Sequence, residues 1–181
     1  KGMNRMVSVV VILVLAWTLG SLLSEMGTAN FIVEMLQGNV PGFIVPALIF
    51  LSAAAMSFAT GSSWGTFAIM IPLAIPIAIG LDAPMLVCIG AVLSGGIFGD
   101  HCSPISDTTI MASAGAQCNH INHVSTQVPY VLTVAAISFV TYTIAGFVQN
   151  VVICLVIGIL LTLATLVVLK RVFGEKAVVR K

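Results

Sequence analysis

Residues 99–109 read Gly-Asp-His-Cys-Ser-Pro-Ile-Ser-Asp-Thr-Thr, and they place two carboxylates, Asp100 and Asp107, in the middle of a very apolar chain. Of the 181 residues, 59% are hydrophobic and only 7% are charged. An ionised side chain at membrane depth costs roughly 2.5–3.5 kcal/mol even on lenient scales, so it usually marks a functional site. The stretch therefore indicates a membrane protein and the place where that protein acts.

The distribution of charge excludes an ordinary soluble domain. Lys1 and Arg5 open the chain, and the next basic residue is Lys170. So few charges cannot supply the polar surface of a soluble protein, whereas a long interval without basic residues is typical of several membrane crossings. The net charge of +1 gives no indication of a nucleic-acid partner, and the predicted partner is membrane lipid.

Six apolar runs predict transmembrane helices, because a bilayer core needs about 20 mostly apolar residues of helix. They cover residues 7–23, 43–59, 64–80, 84–98, 129–148 and 151–169. Only Gln149 and Asn150 separate the last two runs, which predicts a tight helical hairpin. Apolar residues at helical spacing within 28–42 predict a short interfacial helix.

An even number of crossings places both termini on one side of the membrane. Both termini carry the basic residues, so the positive-inside rule predicts that both are cytoplasmic. The whole chain, residues 1–181, is predicted to be a single transport domain in the cell (inner) membrane, and residues 170–181 are predicted to form a basic cytoplasmic tail.

Pro104 predicts a break in the helix that carries the acids, because proline cannot continue a helix from Asp100. We expect a half-helix that ends near Gly99, an unwound stretch over 99–106, and a second half-helix that starts at Ser106 or Asp107. Discontinuous helices of this kind form the ion and substrate sites of secondary transporters.

Helix dipoles make the two acids unequal. Asp100 follows a helix C-terminus, which disfavours its negative charge, whereas Asp107 starts a helix, where negative charge is favoured. Asp100 is therefore the predicted proton-exchanging group and Asp107 the more constant anion, both as Na⁺ ligands. Ser103, Ser106 and Thr108 are the predicted neutral ligands. We expect Na⁺ and H⁺ as transported ions and no cofactor. The alternative is a loop outside the membrane with two solvated acids.

Two further polar segments are candidates for the lining of the site. Residues 60–66 form either a plain turn or an unwound tip that offers oxygens to an ion, through the hydroxyls of Thr60, Ser62, Ser63 and Thr66. Residues 117–127 are predicted to be a polar connection or a re-entrant segment. Together with the predicted break, this segment contains the types of side chain that bind zinc: His101, Cys102, Cys118, His120 and His123. Their spacing matches no standard zinc motif. His120 or His123 as a pH sensor is an intermediate possibility.

At residues 60–66, 99–109 and 119–127 the chain resembles the NhaC-type Na⁺/H⁺ antiporter family, and the resemblance extends over most of the chain. It implies an all-α membrane protein of about six transmembrane helices with one broken helix, like one half of an ion-transporter fold with two inverted repeats. It also implies the exchange of cytoplasmic Na⁺ for external H⁺. Members of the family are much longer, so the implied partner is a missing N-terminal half or a second copy of the chain.

Two other functions stay open on the sequence. Relatives of the family include carriers, so a Na⁺- or H⁺-coupled carrier of an organic acid or amino acid is one alternative, in which residues 60–66 would bind a carboxylate. A membrane metal-binding protein or enzyme that uses the histidines and cysteines is the other. The favoured hypothesis is a transporter and not an enzyme.

Overall fold

The protein is built from helices alone throughout residues 2–178, the part of the chain that the computed structural model describes. The elements are α1 (Gly2–Glu25), α2 (Thr28–Leu36), a 3₁₀ turn (Gly42–Ile44), α3 (Val45–Thr60), α4 (Ser63–Gly80), α5 (Met85–Cys102), α6 (Asp107–Gly115), α7 (His120–Val148) and α8 (Val151–Val178). Lys1 and Lys181, for which we predicted a cytoplasmic location, lie outside the described residues.

Five helical segments are long and apolar enough to cross a membrane, and they coincide with the second to sixth predicted spans. They cover Gly42–Thr60, Ser63–Gly80, Met85–Cys102, His120–Val148 and Val151–Arg171. The first predicted span, 7–23, lies within α1, a helix of 24 residues. The expectation of an all-α membrane protein is therefore confirmed.

Helices α3 and α5 pack closely against each other, and small residues make this possible. Gly95 lies against the backbone of Phe50, and Gly99 lies against the backbone of Ala54, so neither position has room for a Cβ atom. The hydroxyl of Ser57 donates a hydrogen bond to the Gly96 carbonyl at 2.6 Å. Helices in lipid associate through such close backbone contacts, since the lipid itself is as apolar as the side chains.

The core lies between α3, α4 and α5, and α7 covers part of it. Tyr142 of α7 donates to the Gly90 carbonyl of α5 at 2.9 Å and its ring stacks on Phe50. The buried apolar residues of this core are Val45, Ile49, Phe50, Ala53, Met70, Ala74, Ala78, Leu81, Cys88, Ala91 and Val92. The core therefore extends from the starts of α3 and α5 to their middles, and it includes the second half of α4.

The predicted helix break is confirmed, but its predicted start at Gly99 is wrong. Helix α5 continues to Cys102, and the break is limited to Ser103–Ser106. The reason is the residue before proline: Pro104 disfavours the helical conformation at Ser103, which has φ −73° and ψ 128°. Gly99 does not end the helix, because it serves the contact with α3.

The prediction for residues 117–127 is also corrected. Residues 120–127 form the first two turns of α7, which starts well before Pro129 because the Asn119 side chain caps it, accepting from the Asn122 N–H at 3.1 Å. The hairpin at Gln149 and Asn150 is confirmed, since α7 ends at Val148 and α8 begins at Val151. A short helix, α2 (Thr28–Leu36), lies within the segment 28–42 as predicted, and its interfacial location stays a prediction.

We predict that Gly99→Ala destabilises the protein by about 1–3 kcal/mol, because the added methyl group would collide with the Ala54 carbonyl and force α3 and α5 apart. The measurement is thermal unfolding in detergent. Gly115→Ala is the matched control, because nothing lies within 4 Å of the Cβ position there. Equal melting temperatures for both variants would contradict the role assigned to this contact.

Candidate ion-binding site

Two of the polar segments found in the sequence meet in the structure. Gly61, in the turn between α3 and α4, lies against Ile105 in the break between α5 and α6, and a Cβ at Gly61 would stand 3.0 Å from the Ile105 carbonyl oxygen. Gly61 also has φ +65°, a conformation that favours glycine. The turn and the break therefore form one polar region at the end of the tightly packed α3–α5 pair.

Asp100 is the buried acid of this region. It lies in the last turn of α5 and is only 5% exposed. The hydroxyl of Ser106 donates a hydrogen bond of 2.6 Å to the Asp100 carboxylate. Ser103 is fully buried beside it, and the Ser103 N–H donates to the Asp100 carbonyl at 3.1 Å. The break thus folds back onto the carboxylate that precedes it.

A short relay of hydroxyl groups connects Asp100 to the exposed edge of α6. The hydroxyls of Ser106 and Thr108 are 2.7 Å apart. Ser106 has a single hydroxyl proton, which it donates to Asp100, so Thr108 must donate to Ser106. Ser106 occupies the cap position of α6 but its side chain caps nothing, since it is turned towards Asp100. Thr108 itself is exposed.

Asp107 differs from Asp100 in burial as well as in helix position. It is the first residue of α6, as predicted, and it is exposed. In the part of the chain that the structure describes, no hydrogen bond reaches its carboxylate. The structure therefore joins Asp100, Ser106 and Thr108 in one network and leaves Asp107 at its edge, so its role as a Na⁺ ligand stays a prediction.

The hydroxyls of residues 60–66 shape the turn itself. Ser62 accepts from the Gly65 N–H at 3.4 Å and so caps α4, and the buried Thr66 donates to the Ser62 carbonyl at 3.0 Å. The Thr60 hydroxyl lies 3.4 Å from the Ser57 and Ser62 carbonyls. Ser63 is half-buried in the first turn of α4. These groups border the break through the backbone at Gly61.

The structure does not support the zinc hypothesis. Among residues 14–171, whose side chains the structure describes, no group of three or more His, Cys, Asp or Glu side chains is arranged to hold a metal ion. The His101 ring lies 2.9 Å from the Ile97 carbonyl of its own helix, and the exposed Cys118 contacts the Ser113 carbonyl. Cys102 is buried at the end of α5. His123 is half-buried on α7.

Two polar side chains of α7 reach the break instead. His120 Nε2 lies 2.7 Å from the Pro104 carbonyl oxygen, and His120 Nδ1 lies 3.0 Å from the Ser113 hydroxyl. Gln127 donates from Nε2 to the His101 carbonyl at 2.9 Å. Because a carbonyl oxygen only accepts, His120 Nε2 must carry a proton.

Sequence reasoning missed Gln127 as a contact of the break. A signal was present, because Gln127 follows His120 by seven positions, and residues at this spacing lie on the same face of a helix. Ser57 was missed as well, and nothing in its local sequence distinguishes it from other small polar residues of membrane helices.

Comparison with known proteins gives a consistent picture. The model of the Na⁺/H⁺ antiporter family matches residues 1–147. An uncharacterized protein of Haemophilus influenzae is 44% identical over 147 residues, which are 81% of this chain and 28% of that protein. The malate-2H⁺/Na⁺-lactate antiporter of Bacillus subtilis is 36% identical over 109 residues, 58% of this chain and 23% of that protein.

A third relative is an uncharacterized Na⁺/H⁺ antiporter of Haemophilus influenzae, 30% identical over 146 residues, which are 81% of this chain and 31% of that protein. The chain therefore spans less than a third of the length of these relatives. No solved structure matches the chain significantly. The family match includes the turn, the break and nearly all of α7, and it ends before α8.

We predict that Ser106→Ala lowers the free energy of unfolding by about 0.5–2 kcal/mol, because it removes the hydroxyl that donates to a buried carboxylate. Thermal unfolding in detergent measures the effect. Ser125→Ala is the control, since Ser125 is exposed and bonds only to the Asn122 carbonyl of its own helix. If Ser125→Ala lowered the free energy of unfolding by as much as Ser106→Ala, the prediction would be contradicted.

Proposed function

We propose, since the chain belongs to the Na⁺/H⁺ antiporter family, that it is the ion-binding part of a secondary transporter that exchanges Na⁺ for H⁺ across the cell membrane. The observation that carries this proposal is the burial of Asp100 at a helix break, with the Ser106 hydroxyl directed at its carboxylate. Both termini would lie in the cytoplasm, and no cofactor takes part.

The charge of Asp100 explains why two cations would compete there. Helices α2 to α7 carry no lysine or arginine, because none occurs between Arg5 and Lys170. A buried carboxylate without a fixed counter-charge is costly unless a cation or a proton neutralises it. A single negative charge is balanced by either Na⁺ or H⁺, so loading of one favours the release of the other. This competition is the elementary step of an exchanger.

The remaining groups of the region are suitable for a hard cation, which prefers oxygen ligands. We propose Asp100, Ser103, Ser106 and Thr108 as the ligand set, with Asp107 as a second carboxylate at the exposed edge. The relay from Thr108 to Ser106 to Asp100 leads from the exposed edge to the buried acid, and this supports a route for protons to the site.

Transport also needs a second wall. Alternating access requires one group of helices to move against another around the site. This chain spans only 28%, 23% and 31% of the lengths of the three relatives described above. We propose that an N-terminal half or a second copy of the chain supplies the opposite wall within the lipid bilayer.

A carrier of organic acids is the second candidate. The Bacillus subtilis relative is named an antiporter of malate with protons and of lactate with Na⁺. In this chain the Gly61 turn lies directly against the break, so a carboxylate bound at residues 60–66 would be adjacent to a cation at Asp100. Such a pair would move as substrate and coupling ion.

We predict that Asp100→Asn abolishes the stabilisation of the purified chain by Na⁺, because the amide mimics a permanently protonated acid. A ligand that binds only the folded state increases the free energy of unfolding, by about 2.7 kcal/mol at 100 times its dissociation constant, and so raises the melting temperature. Melting temperatures are compared in NaCl and choline chloride over a range of pH. For the wild type, the increase in melting temperature that Na⁺ causes should become smaller as the pH falls, because protons compete for Asp100.

Asp107→Asn is the informative comparison, because it removes an exposed charge at the edge of the site. It should weaken the effect of Na⁺ while the dependence on pH remains. If the Na⁺ effect lost its dependence on pH equally in Asp100→Asn and Asp107→Asn, the two acids would not differ in role. Absence of any Na⁺ effect in the wild type would refute the cation site.

We predict further that the chain does not exchange ions as an isolated monomer. The dissipation of a pH gradient in proteoliposomes is measured as Na⁺, Li⁺, K⁺, malate and lactate are added in turn, with the monomeric state verified in parallel. Flux that requires malate or lactate would favour the organic-acid carrier. Na⁺-driven proton flux from a verified monomer would contradict the need for a second wall.

A further inference from the structure

We infer that His120 and Gln127 are positioning residues through which α7 holds the helix break in the conformation that binds the cation. The effect on cation binding rests on the proposed function, whereas the contacts of the two side chains with the backbone do not depend on it. The two side chains, together called the α7 clamp, take no part in cation binding themselves. They act on the backbone of the break.

The α7 clamp binds one backbone carbonyl at the end of α5 and one within the break. Carbonyls in the last turn of a helix have no partner within that helix. Gln127 donates to the His101 carbonyl at 2.9 Å, and His120 donates to the Pro104 carbonyl at 2.7 Å. One bond fixes the end of α5 and the other fixes the break itself. The two donors are seven positions apart, which is about two turns of helix, so both lie on one face of α7.

Ser113 holds the ring of His120 in place from the other side. Its hydroxyl lies 3.0 Å from His120 Nδ1 and 2.9 Å from the Ile110 carbonyl within α6. The imidazole therefore joins three elements, namely the break, α6 and α7. A rotation of the ring away from Pro104 would give up the contact with Ser113 as well, so the clamp is stiffer than a single hydrogen bond.

Without the clamp the break keeps the bonds to Asp100 in the last turn of α5, from the Ser103 N–H and the Ser106 hydroxyl, and two bonds within its own stretch. The Ser106 N–H donates to the Ser103 carbonyl at 3.3 Å, and the Ile105 N–H donates to the Ser103 hydroxyl at 3.4 Å. Both bonds are long, and both would move with the break as one unit. The clamp is thus the connection that ties the break to α7, in addition to the bonds of the break to Asp100 and its contact with Gly61.

Hydrogen–deuterium exchange of the full chain in nanodiscs tests the clamp without any need for transport. In His120→Ala, the backbone amides of residues 103–110 should exchange about threefold to tenfold faster, which is the effect of losing one ordinary hydrogen bond, while α3 stays unchanged. His120→Gln should restore at least part of the protection, because its terminal amide can still donate to the Pro104 carbonyl. Gln127→Leu should also accelerate exchange at the break.

Asn122→Ala is the matched control, because Asn122 is exposed in the same part of α7 and its side chain makes no hydrogen bond among the described residues. Unchanged exchange in both His120→Ala and Gln127→Leu would overturn the inference. So would acceleration in Asn122→Ala equal to that in His120→Ala, or acceleration that spreads equally to α3.

The effect of Na⁺ on the same peptides separates this inference from the proposed function. In the wild type, Na⁺ should slow exchange at residues 103–110, and His120→Ala should need several-fold more Na⁺ for the same protection. If the clamp variants accelerate exchange while Na⁺ has no effect on the wild type, the clamp stands and the cation site fails. If Na⁺ protects the wild type and His120→Ala at equal concentrations, the clamp has no role in positioning the site.

Discussion

The burial of one carboxylate among helices without a fixed cation is the constraint on which this structure depends. Asp100 is 5% exposed, and helices α2 to α7 contain no lysine or arginine. In a membrane such a group must obtain its counter-charge from an ion or a proton. The surrounding structure supplies neutral hydrogen-bonding groups in place of a fixed positive charge. Ser106 donates to the carboxylate, Thr108 bonds to Ser106, and the break brings both residues close to Asp100.

The close packing of α3 on α5 is what places this carboxylate. Glycines at positions 95 and 99 let the two backbones meet, and the Ser57 hydroxyl ties them at the Gly96 carbonyl. The same contact carries the turn after α3 to the break after α5, where Gly61 meets Ile105. Small residues on α3 and α5 therefore do more than allow packing, because they bring two separate polar segments into one region.

Much of this architecture is predictable because lipid simplifies the relation between sequence and structure. Long apolar runs must become helices, since no other segment satisfies its backbone in hydrocarbon, and five of the six predicted spans match helices of suitable length. Pro104 likewise requires a break nearby. The exact start of the break depends on Ser103, whose backbone is kept out of the helical conformation by the proline that follows it. Gly99, where the break was predicted to start, instead makes the contact with α3.

The contacts that complete the site are tertiary, and local sequence does not encode them. Ser106 has the sequence of a helix cap, yet its hydroxyl serves Asp100, because a buried carboxylate competes more strongly for a donor than an accessible helix end does. Residues 120–127 look like a polar connection, yet they form helix, because Asn119 caps them and their polar side chains find carbonyls at the break.

These contacts also explain why so polar a segment begins a membrane helix. His120 and Gln127 lie near the start of α7, where their donors reach carbonyls that α5 and the break leave without helical partners. Polar groups of one element thus satisfy polar groups of another, as buried polar groups in membrane proteins must. Asp107 and Thr108, by contrast, remain exposed at the edge of the same region. The side of the site that this chain closes is therefore the α7 side, and Asp107 and Thr108 mark the side that it leaves open.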